Sequence, residues 1–132
     1  MLQPALAQVP VEQLDHYWRY AEPYLRRAHE RMGFVTPAEW YERLKASRCD
    51  LWLVTVANAI KAAFVTSVRG QTFTVECLGG DDMLTWIDLL DDLESQARDH
   101  GMTSIEFEGR PGWAWLKRKG YGTRRVVLGK DL

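Results

Sequence analysis

Apolar residues change their spacing several times along this chain, and each change marks an element. Ala5 to Val9 predicts a short edge strand. Leu14, Tyr17, Trp18, Ala21, Leu25 and Ala28 then recur at the three- and four-residue spacing of a helix with one apolar face. Pro10 suits the start of that helix. Pro23 lies inside the pattern, where its missing N–H predicts a kink or break near Glu22, and Gly33 predicts the end. Thr36-Pro37-Ala38-Glu39 is a second start signal: Thr36 caps, Pro37 fits the first turn, and Glu39 reaches back as a capping box. Trp40 and Leu44 follow on the apolar side of that helix.

From Leu51 the period shortens. Leu51 to Val56, Ile60 to Val68 and Thr72 to Leu78 predict three antiparallel strands, with turns at Ala57-Asn58-Ala59 and Arg69-Gly70. Alternation places Phe73, Val75 and Cys77 on one face, and Thr72, Thr74 and Glu76 on the other. Gly79-Gly80 stops the third strand. Asp81 or Asp82 then reads as the cap of a long helix running to His100, with Gly101 as its terminator. Trp86, Leu89, Leu90, Leu93 and Ala97 form its apolar stripe. Ile105 and Phe107 alternate with Glu106 and Glu108, another strand. Gly109, Pro111 and Gly112 break it; Trp113 and Leu116 share the face of a short helix, Lys117 to Lys119 fill its last turn, and Gly120 ends it. Tyr121 opens a last strand centred on Val126, Val127 and Leu128. This order predicts an α/β fold, a mixed sheet flanked by helices. The long helix makes a right-handed crossover between parallel strands 72–78 and 104–108. The expected core is Trp52, Phe64, Phe73, Val75, Leu90, Leu93, Ile105, Phe107, Leu116 and Val127.

A length of 132 residues fits one domain spanning 1–132 with a sizeable core. The formal net charge of −1 argues against a general nucleic-acid binder. The charge is uneven: Glu76 to Asp99 holds eight acidic residues and one basic, whereas Gly101 onward holds seven basic and three acidic. Opposite helix faces explain this without a ligand. Cys49 and Cys77 have neither metal spacing nor a disulfide framework, so a reducing cytoplasm is the default. Residues 1–9 do not read as a signal peptide, and no stretch approaches the ~20 apolar residues of a membrane span. His16, His29 and His100 are scattered, and no serine sits in a nucleophile motif. Six tryptophans serve either the core or an interface.

The element order, the Gly79-Gly80 turn and Leu116-Lys117-Arg118-Lys119-Gly120-Tyr121 together resemble the GNAT acetyltransferases. The last stretch looks like that family's fourth helix running into its Gly-Phe or Gly-Tyr pair. Gly109-Arg110-Pro111-Gly112-Trp113 with a terminal Gly129-Lys130 resembles small GNAT-like proteins encoded by bacteriophages and prophages. The resemblance implies an acetyl-CoA loop at Gly79, Gly80, Asp81 and Asp82, and a general base at Glu76.

The chain departs from the family pattern in three places. The loop lacks the family's spaced glycines and its basic or Gln residue, and Asp81 and Asp82 stand where a pyrophosphate would sit. The position of the family's proton-donating tyrosine is Leu116, which carries no proton to give. Basic help for a phosphate would have to come from Arg110 or from Lys117, Arg118 and Lys119 across the cleft. Arg110 is a candidate anion or partner site, with Trp113 beside it; pairing with Glu108, Asp81 or Asp82 is the structural alternative. The expectation is a phage-encoded GNAT-fold protein that acts by binding, with no cofactor. It would engage a phage structural or host protein, or another copy of itself, in the host cytoplasm or in the particle. Neither a membrane nor a nucleic acid is an expected partner. The alternative is an active N-acetyltransferase using acetyl-CoA.

Overall fold

The structure, a computed structural model, describes residues 3–32, 35–108, 114–122 and 130–131. Five strands form one sheet in the order β1-β2-β3-β4-β5: β1 Pro4–Val9, β2 Asp50–Val56, β3 Ala59–Arg69, β4 Thr72–Gly80 and β5 Ser104–Phe107. Neighbours are antiparallel through β4, and β5 runs parallel to β4. Helices α1 Leu14–Met32 and α2 Pro37–Lys45 pack on one face, and α3 Leu89–Asp99 and α4 Ala114–Arg118 on the other.

Sequence chemistry accounts for most of these elements. Thr36 closes the expected capping box: its hydroxyl accepts from the Glu39 N–H at 3.2 Å, and the Glu39 carboxylate accepts from the Thr36 N–H at 3.3 Å. Ala57 and Asn58 both take positive φ, the type I′ geometry that suits the twist of a two-residue hairpin. Gly120, at φ +92°, ends α4 as expected. Two layers of core result. Leu14, Ala21, Leu25, Trp40 and Leu44 bury Leu51, Leu53 and Val65 on one side, and Leu90, Leu93 and Leu116 bury Trp52, Val54, Phe64 and Val75 on the other. Each fully buried aliphatic contributes about 1.5–3 kcal/mol of transfer free energy.

Four expectations need correction. Pro23 does not split α1, which continues as one element to Met32. Ala21 and Leu25, both fully buried on the sheet, hold the helix together across the missing hydrogen bond. The long helix does not start at Asp82. Residues Met83–Thr85 make a single 3₁₀ turn, and α3 begins only at Leu89. Phe73, Val75 and Cys77 do not share a face. Register slips between Val65 and Thr66, so Val65 pairs with Cys77 and Thr66 with Val75, and Glu76 is an extra, bulged residue. The phase therefore flips: Phe73 and Val75 pack towards α3, Cys77 towards α1 and α2. Finally, Phe73, Ile105 and Phe107 are half-buried rather than buried, because β5 pairs over four residues and is the sheet edge among the described residues. The expected last strand, with Val127, and the expected helix end at Gly33 lie outside the described residues.

Candidate functional site

The pairing of β4 with β5 ends at Val75 and Phe107, where the Glu108 N–H donates to the Val75 carbonyl at 2.9 Å. Strand β4 continues to Gly80 with no partner on that side among the described residues. Glu76 occupies the bulge at this fork. Its side chain is 11 % exposed and pairs with the Arg69 guanidinium, which also donates to Glu108 at 2.8 Å. Two residues along each strand, Ser67 and Thr74 oppose one another, and neither hydroxyl has a hydrogen-bond partner among the described residues.

The expected loop residues lie together at the far end of β4, held by distant side chains. A Cβ on Gly79 would stand 2.1 Å from the Tyr24 carbonyl oxygen, so the glycine admits the α1 backbone. A Cβ on Gly80 would meet the Ala62 Cβ at 2.7 Å and the Trp86 ring at 3.0 Å. Asp81 gives its N–H to the Lys61 carbonyl at 2.8 Å, and its own carbonyl accepts from the Trp86 indole at 2.8 Å. Its carboxylate takes the Arg27 guanidinium at 3.0 Å, a bond that holds the Asp81 carboxyl below the usual carboxylate range. Asp82 sits at φ +52°, makes no side-chain cap and pairs with Lys61 at 3.2 Å.

Across the α3–α4 side, Lys119 reaches Asp88 at 2.9 Å and Asp91 at 3.6 Å, and the Asp88 bond raises its pKa. The acidic and basic stretches of the sequence meet in these pairs. Leu116, at the position of the family's proton donor, is buried core. Burial first, and then the 2.6 Å hydrogen bond it donates to Glu94, push the Tyr121 hydroxyl well above the ordinary tyrosine range. Burial likewise lifts Cys49 to about 11 and Cys77 to about 12, so both thiols stay protonated and inert. Arg110 and Trp113 lie outside the described residues. Among the described residues, no cluster of His, Cys, Asp and Glu can hold a metal, and no helix is long and apolar enough to cross a membrane.

Sequence reading misses Arg27, Lys61 and Arg69. Arg27 and Asp81 are 54 residues apart, Lys61 and Asp82 21 apart, and no local pattern links them. Arg69, at a turn seven residues before Glu76, is the one open to local reasoning.

This sheet order, with β4 and β5 parallel and parting at a bulge, is the fold of the GNAT acetyltransferases. An aminoglycoside acetyltransferase from an uncultured soil metagenomic sample, solved with sisomicin, is similar with a TM-score of 0.68 at 11 % identity, over 98 % of this chain and 96 % of that one. A ribosomal-protein-alanine N-acetyltransferase from Brucella melitensis biovar Abortus 2308 is similar at 0.66 and 8 % identity, over 98 % of both chains. The PaiA N-acetyltransferase from Thermoplasma acidophilum, solved with coenzyme A, is similar at 0.64 and 9 % identity, over 95 % of this chain and 93 % of that one. No family model matches the chain, and no curated protein matches it in sequence.

Proposed function

We propose that this chain is a GNAT-fold protein that acts by binding a protein partner rather than by acetyl transfer. The observation that carries this reading is the segment after β4. A pyrophosphate needs free N–H groups and positive potential at a helix start. Here the Asp81 N–H is engaged by Lys61, two carboxylates flank the turn, and α3 starts seven residues past Asp82, at Leu89. The first turn of α3 itself carries Asp91 and Asp92. Both glycines are explained by packing. Lys119, one of the cations expected to serve a phosphate, already bridges to α3. These residues do not fit acetyl-CoA. The resemblance to phage-encoded proteins supports a partner among phage structural or host proteins, and a place in the host cytoplasm or the particle; self-association is a further arm of the proposal.

The test is thermal: 0.1 mM acetyl-CoA should leave the melting temperature unchanged, because a ligand at about a tenth of its Kd stabilises by under ~0.1 kcal/mol. A shift of several degrees would overturn the reading.

One observation favours the acetyltransferase alternative. Glu76 is nearly buried at the fork, where an acceptor amine would find a base. On that reading Glu76→Gln abolishes acetyl transfer to an amine while leaving acetyl-CoA affinity intact.

A further inference from the structure

A groove of about 820 Å³ runs between α1 and the β2–β3 hairpin, with Asp81 at the end of β4 also at its edge. Arg19, Tyr20, Pro23, Tyr24, Arg26 and Asn58 line it. Spacings of three, four and seven along α1 put the first five on adjoining rows of one helix.

The groove is cationic and aromatic together. Arg19 lies 4.9 Å from the Tyr20 ring, and no carboxylate among the described residues comes within ion-pair reach of it. Arg26 is 54 % exposed and meets Glu22 only at 3.5 Å. Arg27 is neutralised by Asp81 and stacked on Tyr24, so it forms a wall. Tyr20 is 41 % exposed. Pro23 has no N–H and so donates nothing to the Arg19 carbonyl one turn earlier. The walls are preformed. The Tyr24 hydroxyl donates to the Ile60 carbonyl at 2.8 Å, and the hairpin tip is fixed by Ala57 and Asn58 at positive φ. Arginine and tyrosine are the side chains enriched in binding hot spots, and a wall already fixed leaves less entropy to be lost.

We propose that this groove binds a short acidic, aromatic-containing segment of a protein partner. Carboxylates would pair with the Arg19 and Arg26 forks, and a partner ring would lie against Tyr20. The inference rests on the reading that the chain acts by binding; acetyl-CoA titration tests that reading, the experiment below tests the groove, and either can fail alone.

The probe is a random copolymer of glutamate and tyrosine, titrated into the ¹⁵N-labelled full chain. We expect salt-sensitive binding with shifts at Arg19, Tyr20 and Asn58. The double variant Arg19→Glu/Arg26→Glu should weaken binding at least about tenfold with the melting temperature unchanged. Tyr20→Ala should weaken it without altering the salt dependence. The absence of binding, or binding indifferent to both variants, overturns the proposal. So does tighter binding of a single-stranded oligonucleotide at the same residues, which would indicate nucleic acid. Self-association abolished by the arginine variant, without copolymer binding, would assign the groove to a second copy and overturn it equally.

Discussion

The start of α2 and the segment leading into α3 carry the same kind of sequence signal, a short polar side chain after a chain break, and end differently. At Thr36 the signal is obeyed, with both halves of the capping box formed. At Asp81 and Asp82 it is overridden. No cap forms, one 3₁₀ turn intervenes, and α3 starts at Leu89. The difference lies in the competition. Thr36 is neutral, and its three-residue reach to Glu39 meets no rival among the described contacts. The two aspartates are instead turned to Arg27 and Lys61, cations brought in from α1 and β3. The capping signal is therefore obeyed at Thr36, where no tertiary partner competes among the described contacts, and passed over at Asp82, where one does.

Gly79 gives the sharpest way to break that comparison. Gly79→Val sets a side chain against the Tyr24 backbone, which cannot yield as a flexible side chain would. We expect a loss of about 3 kcal/mol in urea unfolding. A loss below ~1 kcal/mol would mean that α1 does not seat on β4 at this point. Thr36→Ala should cost about 1 kcal/mol by the same measurement, the usual worth of a cap. Asp81→Asn should cost less, under ~1 kcal/mol, because the Arg27–Asp81 pair is about half exposed at both ends. If it costs more than Thr36→Ala, Asp81 does more than the pair describes.

The pH dependence of the Asp81→Asn effect sharpens the comparison further. The Asp81 carboxyl is depressed in the folded state, chiefly by Arg27. Its contribution is then fully present above the unfolded value of about 3.9 and disappears as pH falls through the lower folded value. The stability gap between wild type and Asp81→Asn should thus be constant from neutral pH down to about 5 and close only in stronger acid. A gap that closes near neutrality would refute the assignment.

Much of the fold is legible in the sequence because it is periodic. The capping box, the hairpins and the α1 stripe follow from short-range spacings, and the parallel pairing of β4 with β5 from the helix between them. What fails depends on distant partners. Alternation along β4 misplaces Cys77 because the bulge at Glu76 is set by register against β3, not by β4 itself. Gly79 and Gly80 announce a turn, but their reason is the α1 backbone and Trp86. At the site, Glu76 stands out in the sequence, while its partner Arg69 does not. Asp81 and Asp82 read as caps, since nothing in their neighbourhood announces Arg27 or Lys61.

Asp81 spends its N–H, carbonyl and carboxylate on internal contacts, and with Asp82 it sets two carboxylates at the turn, an arrangement that disfavours a pyrophosphate. Calorimetric titration of acetyl-CoA into the wild-type chain tests this most directly. The account predicts no binding tighter than about millimolar, near −4 kcal/mol. A micromolar dissociation constant would contradict it and restore the acetyltransferase reading.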